Sequence, residues 1–320
     1  MPCTSNIRYD KPQRCVLDVY SPDDDGAPNK LHPVMVCLHG GGWSVGDKRD
    51  AEEMSKDVSA HGYIVIAPCY RLSTFSDENI KTLMFIESVL VLIMAFLSNG
   101  NNIATLVVLI IFFIVIVVMY VITKPRQIIQ HPVHANDVAE VIRWTYQNIR
   151  SYGGDPNNIH IMGHSAGGHL AAIVSTNPDY LRRVNLPNTI IRSTICISGV
   201  FSDKRMQETK IGNEILHNAF NFDSLNHMQA FPIYHAQPTS PPHLLINAEF
   251  DYTLKKHTLD YALALRQKGV FVQTRDYKGT NHFNIRRGWS SKNSKVLTSI
   301  IDFLDTVASS RALMNNLEIM

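Results

Sequence analysis

Apolar residues gather along this chain in short, nearly continuous runs, and polar stretches with helical spacing lie between them. The runs are Arg14–Tyr20, Val34–Leu38, Tyr63–Ala67, Ile159–Met162, Ser193–Ser198, His243–Ile246 and Phe271–Tyr277. Runs of this kind predict strands covered on both faces rather than half-exposed ones. Between them Val138, Val141, Ile142 and Ile149 recur at helical spacing, with Asp137 placed to cap a helix over Val138–Ile149. Leu254–Lys268 and Ser294–Ala308 read as amphipathic helices. The alternation predicts an α/β fold, a mostly parallel sheet with helices on both faces. Residues 201–242 break the rhythm with Pro232, Pro238, Pro241 and Pro242, and read as a cap or connecting excursion.

The pattern changes between residues 80 and 124. Ile103–Ile122 is twenty residues without a charge, with Thr105 and Tyr120 as its polar members. As a helix it measures about 30 Å, the thickness of a bilayer's hydrocarbon core. Leu83–Leu97 is a shorter apolar segment carrying Glu87 and Ser88, and Ser98–Asn102 between the two is a turn signal. The chain on either side must join one sheet, so both flanks lie on the same side of a membrane and the insert crosses twice or enters and returns. The expectation is a two-helix transmembrane hairpin at 80–124, inserted in an α/β domain made of residues 1–79 and 125–320. Lys81, Lys124 and Arg126 flank the outer ends while the turn is uncharged. By the positive-inside rule the α/β domain is then cytosolic, and the lipid bilayer is a partner. A hydrophobic lid or buried core helix is the plainer alternative for the same residues.

Composition narrows the remaining choices. With 320 residues, 45% of them hydrophobic, the chain can bury one large core. A net charge of +2 without a basic stripe argues against a nucleic-acid partner. The five cysteines show no metal-type spacing, and Cys37, Cys69 and Cys196 lie inside apolar runs, so neither a disulfide framework nor a metal site is expected. Met1–Lys11 is polar and predicts no secretory leader.

Two strings carry the chemistry. Gly163-His164-Ser165-Ala166-Gly167 follows an apolar run and fits the Gly-x-Ser-x-Gly nucleophile elbow. His39-Gly40-Gly41-Gly42-Trp43 follows another and fits a loop whose backbone N–H groups face an oxyanion. Together they point to a serine hydrolase with Ser165 as nucleophile and the N–H groups of Gly41, Gly42 and Ala166 as oxyanion donors. Trp43 is a candidate for lining an acyl pocket and equally a candidate for core packing.

Over residues 14–72 and 125–309 the chain resembles the α/β-hydrolase superfamily, in particular its HGGGW carboxylesterase branch with kynurenine formamidase-like and isoprenylcysteine methylesterase-like members. Tyr70-Arg71-Leu72, Tyr152-Gly153-Gly154-Asp155-Pro156 and Gly167-Gly168-His169-Leu170-Ala171 add to that resemblance. It implies that the acid and the base follow the serine in the order Ser, Asp/Glu, His. His282, in a loop after the last strand-like run, is the expected base, whereas His257 falls inside a helix. Asp251 matches the family's acid position after the preceding strand, with Glu249 the alternative because one loop can present either. His39, His164 and His169 are expected to serve structure, and Asp155 to pack the turn before the elbow strand. Such a constellation needs no metal or organic cofactor. The function expected is a membrane-anchored serine esterase acting on small or lipophilic ester substrates. The alternatives are an arylformamidase-type amidase acting on N-formylkynurenine, and a non-catalytic binding protein on the same fold.

Overall fold

The computed structural model describes residues 2–23, 31–73, 129–220, 224–287 and 294–318. Among them the strands are β1 (Cys3–Arg8), β2 (Val16–Tyr20), β3 (His32–Leu38), β4 (Ile64–Pro68), β5 (Gly154–His164), β6 (Ile191–Ile197), β7 (His243–Phe250) and β8 (Val272–Asn281). They form one sheet in the order β1-β2-β4-β3-β5-β6-β7-β8. From β4 onward the pairings are parallel, while β1 and β2 form an antiparallel hairpin whose second strand lies antiparallel to β4.

Strand periodicity sends alternate residues to opposite layers. Val34, Val36 and Leu38 pack with Val138, Leu170 and Tyr261 on one face. Met35 and Cys37 pack with Met54, Val58, Ile300 and Phe303 on the other. Helices Val133–Asn148, Ala166–Thr176 and Leu254–Gln267 therefore cover one side, and Glu52–Ser59 and Lys295–Glu318 cover the other. The cysteines among these runs are free and buried.

Three differences from the sequence reading have physical causes. Strand β1 went unrecognised because its residues are largely exposed and carry no apolar alternation. It is held instead by pairing with β2 and by Asp18, whose carboxylate accepts from Asn6 N at 2.7 Å and pairs with Lys48 at 2.6 Å. Asp137 is not a helix cap. The helix begins four residues earlier, at Val133. Asp137 lies buried inside it, where its carboxylate accepts from Arg71 Nε at 2.9 Å and from Arg71 N at 2.8 Å, with a further bond from the guanidinium. The irregular stretch 201–242 contains helices Asp203–Gln207, Lys210–Phe220 and Ser224–Ala230.

The chain divides into two compact units, one of Met1–Leu72 with Gln130–Met320 and one of Ser73–Ile129. The expected hairpin at 80–124 lies outside the described residues. Among the described residues no helix is long and apolar enough to cross a membrane. Arg71 is the penultimate residue before the chain leaves the hydrolase unit, and Asp137 follows soon after its return. Their ion pair joins the stretches of the hydrolase unit that precede and follow the excursion.

Arg71→Ala should leave the Asp137 carboxylate buried without its cation and lower the unfolding free energy by about 3–5 kcal/mol. A denaturant titration reads this directly, and a change below about 1 kcal/mol would contradict the structural role. A second expectation concerns acid. Burial holds His169 down to about 3, and His243 and His257 to about 4, from an ordinary 6.5. His257 Nδ1 accepts from Phe201 N and Ser202 N at 3.2 Å, so a proton there breaks both bonds. The unfolded chain takes up protons first, so this contribution is complete above pH 6.5 and is lost as pH falls toward 4. The urea midpoint should drop between pH 7.5 and pH 5, and a flat profile would refute the assignment.

Candidate active site

Ser165 joins β5 to the helix Ala166–Thr176 at φ 54°, ψ −118°, a backbone conformation that non-glycine residues rarely adopt. Its N–H donates to Ile197 O at 2.8 Å, which ties the turn to β6. The flanking positions admit no side chain. A Cβ on Gly163 would meet the Gly167 carbonyl, and one on Gly167 would meet the carbonyls of Leu38 and His39. Leu38 and Gly163 are register partners in β3 and β5, so the elbow and the HGGGW loop leave the sheet side by side.

The next strands supply the partners of the serine. His282 follows β8 directly, and its Nε2 lies 3.0 Å from Ser165 Oγ. Its Nδ1 lies 2.8 Å from Asp251 Oδ1. Asp251 follows β7 and is 2% exposed, and its other oxygen accepts from Ala248 N at 3.1 Å. A carboxylate at Nδ1 fixes the proton there and leaves Nε2 free to accept from the serine hydroxyl. Glu249, the alternative acid, is exposed and accepts from Gly279 N at 2.7 Å, bracing the turn within β8. Glu249 thus lies within the end of β7 and Asp251 just beyond it, and the structure brings Asp251 to His282.

His164 acquires a role that the sequence reading left general. Its Nε2 donates to the His282 carbonyl at 2.8 Å, and the two rings lie 4.8 Å apart. Burial, with His282 alongside, holds His164 down to about 3, so it is neutral at physiological pH and acts as a donor rather than a charge. The available clue was its place, a polar residue ending an apolar strand.

The HGGGW loop is oriented through its carbonyls. In a trans peptide the C=O and the following N–H point in opposite directions. Gly41 O accepts from Ser44 N at 3.1 Å and Val45 N at 3.0 Å, which sets the direction of the Gly42 N–H. Gly40 O accepts from His39 Nδ1 at 2.8 Å, which sets the Gly41 N–H in the same way. Gly41 and Gly42 have φ of 114° and 56°, the left-handed region that glycine tolerates. His39 is itself stacked on Tyr70 at 4.2 Å, and the Tyr70 hydroxyl donates to His39 O at 2.9 Å. Ala166 opens a helix, where the first N–H groups have no intrahelical acceptor. Gly40 packs close enough to the serine that an added Cβ would lie 3.2 Å from Ser165 Cβ.

Trp43 is 1% exposed and sits edge-on to Phe220 at 4.7 Å and His169 at 5.1 Å. The structure gives it core packing beneath the loop and not the acyl-pocket role. The exposed rings beside the base are instead Phe283 and Tyr252, 5.3 Å and 5.8 Å from the His282 ring. Sequence reasoning passed over both because isolated aromatics in polar loops carry no periodic signal.

The profile of a family described as alpha/beta hydrolase fold matches residues 97–285, and a second profile, BD-FAE, matches residues 17–81. The chain is 26% identical over 130 residues to the probable carboxylic ester hydrolase LipM of Mycobacterium tuberculosis, covering 38% of this chain and 30% of that protein. It is 24% identical over 190 residues to esterase LipQ of the same organism, covering 56% of this chain and 45% of LipQ. The chain thus spans less than half the length of these curated relatives. Esterase B from Lactobacillus rhamnosis superposes with a TM-score of 0.72 at 15% identity, covering 98% of this chain and 88% of that one. At that identity the likeness speaks for the fold alone. The matched profile spans more than half of the sequence, from the region before the elbow to the base loop, and this chain belongs to the alpha/beta hydrolase fold family.

Proposed function

We propose that this protein is a serine carboxylic-ester hydrolase of the HGGGW branch, acting through an acyl-enzyme. The observation that carries the reading is the hydrogen-bonded relay Ser165–His282–Asp251, which lies beside a loop whose glycine carbonyls accept bonds that orient the neighbouring glycine N–H groups. Ser165 Oγ attacks the ester carbonyl while its proton passes to His282 Nε2, and Asp251 stabilises the imidazolium that forms. The tetrahedral oxyanion is met by the N–H groups of Gly41, Gly42 and Ala166, each worth about 3–4 kcal/mol. Collapse expels the alcohol, which takes the proton from His282. Water then repeats the sequence on the acyl-enzyme, and the serine is regenerated.

Ser165→Ala should lower ester turnover at least about a thousandfold while leaving the fold unchanged by circular dichroism. Asp251→Asn should be severely impaired through the wrong His282 tautomer, whereas Glu249→Gln should keep most activity. The reverse ranking would make Glu249 the acid. A panel of short-chain, long-chain and prenylcysteine methyl esters with N-formylkynurenine separates the esterase from an amidase.

The proposal extends to the membrane. The uncharged run Ile103–Ile122 and its shorter partner Leu83–Leu97 support a hairpin anchor at 80–124, with the catalytic domain 1–79 and 125–320 on the cytosolic side. The chain leaves the hydrolase unit at Leu72, soon after the carboxyl end of β4, and returns at Gln130 ahead of the helix Val133–Asn148. In a βαβ unit both points belong to the edge of the sheet that carries ligand sites. Substrates are then lipophilic esters dissolved in the bilayer, and the anchor contributes local concentration. The full chain should stay with membranes through alkaline carbonate washing. Replacing residues 81–124 with a Gly/Ser linker should leave turnover of a short water-soluble ester within a few-fold and sharply reduce that of a bilayer-dissolved ester. Equal losses on both would refute the substrate assignment.

A further inference from the structure

The helix Lys210–Phe220 makes contacts at its carboxyl end that the chemistry above does not use. The last carbonyls of a helix have no intrahelical donor. Here His217 O and Asn218 O accept from Gln130 Nε2 at 3.2 Å and 3.1 Å, and Ala219 O accepts from His131 N at 2.8 Å. Gln130 and His131 are the first two residues of the hydrolase unit after the long excursion. The same turn reaches the HGGGW loop. Asn218 Nδ2 donates to Ser44 Oγ at 2.8 Å, and Ser44 Oγ donates to Gly42 O at 3.2 Å. Ser44 N is one of the two donors on Gly41 O, the carbonyl that shares a peptide plane with the Gly42 N–H. Ile215, one turn earlier, is the nearest atom group to a Cβ built on Gly42, at 4.0 Å.

We infer that Asn218 is a positioning residue for the oxyanion loop, and that the helix Lys210–Phe220 couples the return of the excursion at Gln130 and His131 to the direction of the Gly42 N–H. The inference rests on the reading of Ser165 as nucleophile and of the glycine N–H groups as oxyanion donors. Its logic is geometric. Releasing Ser44 frees the Gly42 carbonyl and loosens the donor on Gly41 O, so the intervening peptide can rotate. A donor turned away from the oxyanion lowers transition-state binding and leaves ground-state ester binding unaffected. Asp in place of Asn218 has no hydrogen to donate. Ser44 would then donate to it and abandon Gly42 O, so this isosteric change mimics the deletion.

The test uses the full-length protein in detergent micelles with a p-nitrophenyl ester and a trifluoromethyl ketone, whose serine adduct carries an oxyanion. Fluorophosphonate labelling of wild type that is absent in Ser165→Ala first establishes the nucleophile, and failure there sinks the functional reading itself. With that in hand, Asn218→Ala, Asn218→Asp and Ser44→Ala should each lower kcat about tenfold and weaken the ketone by a similar factor, with KM within about twofold. Gln130→Ala should give a smaller loss of the same kind. The pair Gln130→Ala with Asn218→Ala should lose no more than Asn218→Ala alone, as residues of one chain of contacts do. Ser44→Ala, on the loop itself, serves if an Asn218 variant fails to fold. The inference is overturned if labelled, folded variants keep kcat and ketone affinity within twofold of wild type. A rise in KM with unchanged kcat overturns it equally, since that marks a binding-wall role.

Discussion

The strained turn at Ser165 is the constraint from which the site follows. A left-handed serine between β5 and its helix persists only where its surroundings over-determine it. Here they do: its N–H is held by β6, Gly163 is pressed against the Gly167 carbonyl and Gly167 against the carbonyls of Leu38 and His39 at the end of β3, so a methyl group at either glycine would collide. That contact requires β3 and β5 to be neighbours, although more than a hundred residues separate them in sequence. With the neighbours in place, the HGGGW loop leaves β3 beside the serine, and the loops after β7 and β8 bring Asp251 and His282 to the same edge of the sheet. Parallel strands place successive loops at one edge, which is why residues from four strands can meet there.

The histidines show how environment divides labour within one residue type. His282 has a buried carboxylate on one nitrogen and the serine on the other, the arrangement that the proposed base role uses. His39 and His164 are held to about 4 and about 3, chiefly by burial, and remain neutral. As neutral donors, each to a single carbonyl, they hold the HGGGW loop at Gly40 and the loop of His282 without adding charge beside Ser165. A positive charge fixed next to His282 would oppose formation of its imidazolium. Neutral imidazoles supply direction without that cost.

The excursion at Ser73–Ile129 separates two stretches of one hydrolase unit, Met1–Leu72 and Gln130–Met320. The loop-closure cost of a long insertion grows only logarithmically with length, so the fold can carry it if the roots are held. Within the hydrolase unit Arg71 pairs with Asp137, and Gln130 and His131 bond the carboxyl end of the helix Lys210–Phe220. That helix also packs Phe220 against Trp43, so the aromatic beneath the oxyanion loop is fastened by the same element.

Sequence alone determined the fold class, the strands buried on both faces, the identity of the nucleophile motif and the loop before it. Those are local properties: periodicity of burial, and glycines wherever two backbones must nearly touch. It also singled out His282 and two carboxylates in one loop. Choosing between Asp251 and Glu249 was beyond it, because that choice depends on which carboxylate comes within reach of His282, and the pairing of β7 with β8 puts Asp251 there while Glu249 meets Gly279 N. Strand β1 was illegible for a related reason, since an exposed edge strand owes its existence to its partner and carries no apolar code. Asp137 looked like a cap because a helix start is read from a few neighbouring residues, whereas its true partner, Arg71, lies across the excursion. Trp43 was ambiguous until Phe220 and His169 were seen to enclose it. Local pattern is written in consecutive residues, but hydrogen-bond partners far apart in the chain are assigned only when tertiary packing brings their backbones together.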